Sequence, residues 1–376
     1  MDEERTMLFL ANSASQVAGS RGPIVDRLLE AGWEVVVLAG HDSSAEELEK
    51  EGVVVEELNV ERKPFSPWSD IKALWRIVSV YREYEPDLIH CFHIKPIVLG
   101  NFAKRLVARD AKLVNTITGL GYSFNVEGIV NRMAKFAYSL SLNGCDVTIF
   151  QNPDDRDLFV ENGIIDGEKA KVILSSGIRP DKFEFSPETD NEEVKVLIAT
   201  RLLWQKGIRE FVEAAETVER KRDDVIFEVA GGLEDEHMDG VNRDWIEEKD
   251  DEGIIDFLGY VDDMVSKLAE TDIVVLPSYY REGVPRVLLE AMASGKPIVT
   301  TDAPGCRETV VEGRNGILVE PEDSKSLADA ILELVDDKEK RTEMGKEGRS
   351  IVEEEFDRKN VVEEYFEVYK KIGIEL

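Results

Sequence analysis

The sequence contains few cysteines and no pattern that would pair them. Cys91, Cys145 and Cys306 lie far apart and form no C-x-x-C pair, which argues against a disulfide framework and a thiolate zinc site. The close histidine pair, His90 and His93, has two interpretations: part of a metal site, or two polar residues at the end of a strand. We favour the second because no neighbouring carboxylate motif completes a site. We therefore expect no metal.

Long apolar runs are also absent. No stretch approaches the ~20 apolar residues that a membrane-spanning helix requires. The run at residues 7–11 is too short for the core of a signal peptide and instead predicts a first strand. These features predict a cytoplasmic protein.

Positive charge is scarce. The chain carries 46 Lys and Arg residues against 78 Asp and Glu, a formal net charge of −32. Such a chain repels the phosphates of nucleic acid, so we expect no nucleic-acid partner. The acidic residues are spread along the whole length, which indicates a solvated acidic surface; a high-salt cytosol would screen the repulsion between them.

Short apolar runs alternate with longer amphipathic segments in both halves of the chain. Predicted strands lie at 7–11, 34–39, 53–58, 88–92, 113–117, 147–151, 194–199, 226–230, 254–258, 273–277 and 297–300. Many are continuous Val, Ile and Leu runs, typical of strands that are buried on both faces. The alternation predicts an α/β fold with parallel sheets and right-handed crossovers, and 376 residues predict two domains.

A polar segment containing Pro187 marks the expected domain boundary. We predict an N-terminal domain at 1–185, a C-terminal domain at 186–357, and a C-terminal segment at 358–376. Residues 358–371 have the pattern of an amphipathic helix, and we expect this helix to pack back on the N-terminal domain.

Two common nucleotide-binding motifs are missing. No G-x-G-x-x-G follows the first predicted strand, and no G-x-x-x-x-G-K-[ST] occurs. These absences argue against a dinucleotide dehydrogenase and a P-loop kinase.

Residues 276–297 contain the most informative pattern. A strand ends before a loop carrying Glu282, Pro285 then fits a first helical position, and Gly295 predicts the end of that helix. The N–H groups at the start of the helix would bind an anion such as a diphosphate. Glu290 lies eight residues after Glu282, which as helix rise is about 12 Å. Two such carboxylates could hold hydroxyls at opposite ends of a long ligand.

Glu282 and Glu290 form an E-x7-E pattern that resembles the retaining glycosyltransferases of family 4, which have the GT-B fold. Residues 301–319 and 199–207, the latter with Arg201 and Lys206, are similar to the same family. The resemblance covers nearly the whole chain. It implies two Rossmann-like doubly wound domains facing across a cleft, the first binding an acceptor and the second a nucleotide sugar.

The resemblance also implies roles for individual residues. Glu282 would hold hydroxyls of the transferred sugar, and Glu290 those of the ribose. Arg201 and Lys206 would neutralise the departing diphosphate, so that no metal or other cofactor is needed. Further donor contacts would come from the backbone of Gly283, Val284, Arg286 and Val287. Taken singly, these charged residues fit an ordinary surface; their combination favours the functional interpretation.

In the first half, residues 89–100 and 115–124 resemble a narrower branch of the family, whose members extend lipid-linked oligosaccharides for capsules, lipopolysaccharide or protein glycans. Related members transfer N-acetylhexosamines from UDP-sugars. Many family members carry a histidine where this sequence has Thr118, so a catalytic histidine is not assumed there. Gly119 and Gly121 could let the backbone approach the donor, or could form an ordinary strand-to-helix turn. The candidates on the acceptor side are His90, His93, Lys95 and Thr118.

Two segments combine basic and aromatic residues in an otherwise acidic chain. One is 63–84, with Trp68, Trp75, Arg76 and Arg82, and the other contains Arg132, Met133, Lys135, Phe136 and Tyr138. They would either rest on the inner face of the cell membrane or form ordinary core helices.

The sequence therefore predicts a retaining glycosyltransferase that moves a sugar, an N-acetylhexosamine, from a UDP-sugar to a polyprenyl-linked saccharide. Two alternatives remain open at this point. One is a UDP-sugar 2-epimerase, and the other is a non-catalytic sugar-nucleotide-binding protein.

Overall fold

The computed structural model describes residues 5–59, 66–120, 124, 129–189, 192–234 and 237–375. The chain forms two compact units, one comprising Met1–Ser176 with Val361–Leu376 and the other Gly177–Asn360. The units therefore divide upstream of the predicted boundary at 185/186. Each unit contains one parallel sheet with helices on both faces, which confirms the predicted α/β class with two Rossmann-like domains.

The sheet of the first unit contains seven strands among the described residues, in the order β3-β2-β1-β4-β5-β6-β7. Their bounds are β1 Thr6–Ser13, β2 Glu34–Gly40, β3 Val54–Glu57, β4 Leu88–Phe92, β5 Lys112–Ile117, β6 Val147–Phe150 and β7 Ala170–Val172. The helices between them are α1 Ala14–Glu30, α2 Ser43–Lys50, α3 Pro67–Tyr84, α4 Ile94–Val107, α5 Ile129–Leu142 and α6 Pro153–Glu161. The strand order reverses direction at β1, so the first two helices and the later ones cover opposite faces.

The sheet of the second unit has the order β10-β9-β8-β11-β12-β13. Its strands are β8 Val194–Ala199, β9 Val225–Ala230, β10 Asp256–Gly259, β11 Ile273–Leu276, β12 Ile298–Thr301 and β13 Gly316–Val319. Its helices are α7 Ile208–Glu219, α8 Arg243–Asp251, α9 Met264–Glu270, α10 Arg286–Ala293, α11 Ser324–Asp336 and α12 Lys338–Glu355. Because β8 and β11 are neighbours where the order reverses, the loops after these two strands lie side by side.

The last helix, α13 Arg358–Lys371, crosses from the end of the second unit to the first. From Val361 onward it belongs to the first unit and packs with α1 on one face of that sheet. Tyr365 and Tyr369 are fully buried there. None of the helices in the described ranges combines the length and the apolarity needed to cross a bilayer.

Candidate active site

The loop after β8 is held tightly against the loop after β11. The backbone N–H groups of Tyr279 and Tyr280 donate to the carbonyl of Gln205 at 3.1 and 3.2 Å. Gly207 has φ +80°, and a Cβ at this position would lie 2.3 Å from the carbonyl oxygen of Pro277. Only glycine combines this backbone conformation with so close an approach. The two loops therefore form one rigid platform at the carboxyl ends of the strands.

Lys206 and Glu282 form an ion pair on this platform. The Lys206 Nζ donates to Glu282 Oε1, and the side chains are only 9% and 13% exposed. Ser278 Oγ donates to the same carboxylate oxygen at 3.1 Å, and the Lys206 Nζ lies 5.1 Å from the centroid of the Tyr280 ring. The structure thus brings together two of the predicted catalytic residues, which lie 76 positions apart in the sequence.

A third loop, after β12, supports the backbone beside Glu282. Gly305 has φ +89°, and a Cβ there would lie 1.8 Å from the carbonyl oxygen of Gly283 and 2.7 Å from that of Glu282. Burial, together with the negative charge of Glu282, raises the pKa of the neighbouring Cys306 thiol to about 12. The sequence analysis singled out residues 301–319 for their similarity to the family but missed Gly305 as the packing residue. No local pattern of the sequence indicates this contact.

Helix α10 begins one residue later than predicted. Pro285 is the N-cap residue with φ −64° and ψ +120°, so the first helical residue is Arg286. The predicted stop at Gly295 is confirmed, since its φ is +79° and the N–H of Lys296 donates to the carbonyl of Ala291 at 2.9 Å, as in a Schellman motif. The later start also corrects the distance argument. Helix rise applies only from Arg286 to Glu290, about 6 Å, and not to the whole interval from Glu282.

The remaining predicted donor contacts surround the start of α10. Gly283 and Val284 lie in the loop before it, and Arg286 and Val287 provide the first N–H groups of the helix, whose hydrogen-bonding capacity points out of its N-terminus. Arg286 Nε donates to Glu290 Oε1 at 2.7 Å, one turn further on, and the Glu290 carboxylate is half-buried. Arg286 thus orients Glu290, a contact that the i, i+4 spacing could have indicated.

Arg201 lies on the same loop as Lys206 but is more exposed. Its Nη1 lies 3.9 Å from Glu234 Oε1, a loose ion pair at the surface. The flanking backbone is fixed, because Leu202 pairs with Leu233 and is fully buried. A fixed backbone with an exposed guanidinium leaves Arg201 able to turn toward an anion.

The four acceptor-side candidates lie in the first unit, and the structure places one of them, His90, in a different environment from the other three. His90 is fully buried in the sheet; its Nδ1 lies 2.7 Å from Tyr369 Oη and its Nε2 lies 2.7 Å from Thr116 Oγ1. Burial, with the nearby Arg21 charge, lowers its pKa well below the usual value. The acceptor-side assignment of His90 is therefore wrong, because the ring is enclosed and both nitrogens are already engaged.

The other three candidates lie at or just beyond the ends of β4 and β5. His93 precedes α4 with a positive φ of +66°, and its Nδ1 lies 3.1 Å from Thr118 Oγ1. Burial, again with Arg21, lowers the pKa of His93 to about 4, so the ring is neutral near pH 7. Lys95 pairs with Asp70 of α3 at 2.9 Å.

Of the two glycines proposed to approach the donor, Gly119 has φ +109°. That conformation fits either interpretation of the turn. Gly121 lies outside the described residues. Within the parts of the chain that are described, no three His, Cys, Asp or Glu side chains are grouped so as to hold a metal ion.

Comparisons with known proteins match both units. A family model described as glycosyl transferase 4-like matches residues 6–152, and one described as glycosyl transferases group 1 matches residues 180–351. Across 97% of this chain and 98% of its own length, the N,N'-diacetylbacillosaminyl-diphospho-undecaprenol alpha-1,3-N-acetylgalactosaminyltransferase of Campylobacter jejuni is 27% identical. The UDP-Gal:alpha-D-GlcNAc-diphosphoundecaprenol alpha-1,3-galactosyltransferase of Escherichia coli is 24% identical over 72% of this chain and 71% of its own.

Solved structures share the fold. HepE of Anabaena, crystallised in complex with UDP, superposes with a TM-score of 0.78 at 22% identity, covering 97% of this chain and 100% of its own. A glycosyltransferase from Rickettsia africae gives a TM-score of 0.78 at 21% identity, covering 98% and 99%. The two family matches together cover most of both units. The chain therefore belongs to the GT-B glycosyltransferases that combine a glycosyl transferase 4-like unit with a glycosyl transferases group 1 unit.

Proposed function

We propose that this glycosyltransferase moves an N-acetylhexosamine from a UDP-sugar to a polyprenyl-diphosphate-linked saccharide, with retention of the anomeric configuration. The observation that carries the donor half of the proposal is the Lys206–Glu282 pair on the rigid platform before α10. The platform presents a cation, a carboxylate and a helix N-terminus together. Those are the groups that a sugar diphosphate requires.

The donor would lie with its diphosphate between the start of α10 and the loop of Lys206 and Arg201. Glu282 would then accept hydrogen bonds from hydroxyls of the sugar, and Glu290, held by Arg286, would accept those of the ribose. A UDP donor agrees with the complex of HepE with UDP and with the donor that the E. coli relative's name gives.

Catalysis would follow from charge stabilisation of the leaving group. The bond between the anomeric carbon and the diphosphate oxygen breaks, the acceptor hydroxyl oxygen attacks the anomeric carbon from the same face, and its proton passes to the departing diphosphate. Lys206 and Arg201 stabilise the negative charge that builds on that oxygen. Glu282 is already bonded to Lys206 and Ser278, which suits it to orient the sugar rather than to attack it.

The acceptor half of the proposal is supported by the names of two relatives, both of which specify a diphospho-undecaprenol substrate. The first relative is also an N-acetylgalactosaminyltransferase. An acceptor with a polyprenyl anchor is held in a bilayer, so the proposal places the enzyme on the cytoplasmic face of a membrane as a peripheral protein.

The experiment is a transfer assay with UDP-N-acetylgalactosamine, UDP-N-acetylglucosamine and UDP-galactose, each with a short-chain polyprenyl-diphosphate-linked saccharide and excess chelator. We expect transfer from a UDP-N-acetylhexosamine, an α-linked product by proton NMR, and no change in the UDP-sugar when acceptor is omitted. A β-linked product would contradict retention. Interconversion of the donor without acceptor would instead indicate the epimerase.

A further inference from the structure

Helices α3, α4 and α5 lie side by side on one face of the first unit's sheet. Each buries one side in the same core, through Ile77 and Tyr81 of α3, Ile97 of α4, and Tyr138 of α5. Their opposite sides consequently face away from the sheet as a single outer layer. Tyr138 thereby fits the core interpretation of the basic-aromatic segments.

Other aromatic residues of those segments lie on the outside. Trp68 is 81% exposed and Trp75 is 62% exposed on α3, and Phe136 is 66% exposed on α5. The spacing i, i+3, i+7 repeats on both helices and forms one stripe on each. We call the set the outer apolar face, which consists of Trp68, Ile71, Trp75, Met133, Phe136 and Leu140. Large apolar side chains exposed together in this way indicate an interaction surface.

The charge of this layer is opposite to that of the whole chain. The three helices contain two acidic residues, Asp70 and Glu83, and eight basic ones, Lys72, Arg76, Arg82, Lys95, Lys104, Arg105, Arg132 and Lys135. The whole chain has a net charge of −32. At 0.1 M salt the Debye length is about 10 Å, so charges on the protein that lie further than this from a bound surface are largely screened. The attraction therefore depends on the side chains of this layer that touch the surface, and not on the net charge of the whole chain.

The combination identifies the partner by its chemistry. Tryptophan prefers the boundary between headgroups and acyl chains, and lysine and arginine beside it attract anionic headgroups. A second copy of the same face would instead bring two basic layers together, which is unfavourable. We propose that the outer apolar face seats on an anionic lipid bilayer, with Trp68 and Trp75 inserted at its interface. This inference rests on the proposed function in one respect only: the polyprenyl-linked acceptor gives the enzyme a reason to approach a membrane.

The test uses the purified chain with vesicles and neither donor nor acceptor. Vesicles of phosphatidylglycerol and phosphatidylcholine in equal amounts, and vesicles of phosphatidylcholine alone, are sedimented with the protein at 0.15 M NaCl. We expect binding to the anionic vesicles at least tenfold stronger than to the neutral ones, and a blue shift of tryptophan emission on binding.

Two variants and a control separate the contributions. The double variant Trp68→Ser with Trp75→Ser should bind anionic vesicles at least tenfold more weakly. The triple variant Lys72→Gln with Arg82→Gln and Arg132→Gln should bind them severalfold more weakly. Met238→Ser with Tyr260→Ser, which removes two exposed apolar side chains of the second unit, should bind like the wild type. All these side chains are exposed, and circular dichroism with thermal melting checks that each variant folds.

The inference fails if the wild type does not bind anionic vesicles, or if the tryptophan variant binds as well as the wild type. A dimer in sedimentation velocity that the tryptophan substitutions abolish, without vesicle binding, would assign the face to a second copy. Transfer to a short-chain acceptor in detergent tests the proposed function separately. Transfer without vesicle binding overturns only this inference, and vesicle binding without transfer overturns only the proposed function.

Discussion

Replacing Lys206 by alanine tests the proposed chemistry most directly. If Lys206 stabilises the departing diphosphate, kcat should fall roughly 10²–10³-fold, the cost of removing one preorganised charge-stabilising donor. The substitution also leaves Glu282 without its cation in a site where its side chain is 13% exposed. Breaking a buried ion pair costs about 3–5 kcal/mol, and we expect the lower end because Ser278 still donates to the carboxylate. For a unit of this size that is a fall in Tm of about 6–12 °C.

Stability and catalysis can be separated with two further variants. Lys206→Ala with Glu282→Gln removes the unpaired charge, so Tm should recover in part while activity stays low. Lys267 is a matched control, because it forms a similarly buried ion pair with Glu228 in the same unit. Lys267→Ala should lower Tm comparably and leave kcat within a few-fold of the wild type, in steady-state assays well below either Tm. Near-wild-type kcat for Lys206→Ala, or an equal loss for Lys267→Ala, would refute the role assigned to Lys206.

Three further outcomes follow from the structure. Glu282→Gln should lower kcat more than donor affinity. Glu290→Gln should chiefly weaken donor binding in isothermal titration, because a ribose contact changes little during transfer. The reverse pattern would exchange the roles assigned to the two carboxylates. Gly305→Ala places a Cβ 1.8 Å from the Gly283 carbonyl oxygen and should lower kcat/KM roughly 10²-fold. The control is Gly313→Ala, which should retain activity, because Gly313 also has a positive φ of +74° but a Cβ there would have nothing within 4 Å. His90 and His93 have folded-state pKa values below their unfolded values, so the unfolded chain binds more protons and stability should fall as pH drops below about 6.5. For His93, whose pKa is lowered to about 4, the cost should be roughly 1 kcal/mol by pH 5.5 in urea titrations, and His93→Asn should reduce the slope; an unchanged slope would refute the lowered pKa of His93.

The sequence predicts the interior of each sheet better than its edges. Strands β4 and β8 were predicted to the residue, because continuous apolar runs are typical of strands buried on both faces. Of the edge strands, β3 and β10 overlap predicted strands, whereas β7 and β13 were missed. They have three and four residues, and each is paired on one side only, so their sequences need not be uniformly apolar.

In the candidate site, too, features set by neighbours along the chain could be predicted, and contacts between distant residues could not. Local patterns predicted the loop that carries Glu282, the helix that carries Glu290 and the stop at Gly295, since these depend on near neighbours along the chain. They gave no indication that Gly305 packs against Gly283 or that His90 meets Tyr369, 279 positions away. Such contacts depend on the tertiary arrangement, and the mistaken assignment of His90 is the clearest result of that limit.

The position of α13 has a consequence for synthesis of the chain. The first unit emerges first from the ribosome, yet one face of its sheet is completed by residues from Val361 onward. Until they arrive, His90 lacks its Tyr369 partner and Arg21 lacks the ring of Tyr365, 5.0 Å away. At about 5–20 residues per second, synthesis of the intervening second unit takes tens of seconds at the slow end. The first domain to be made is thus the last to be finished, and a fragment ending at Ser176 should be a poor substitute for it.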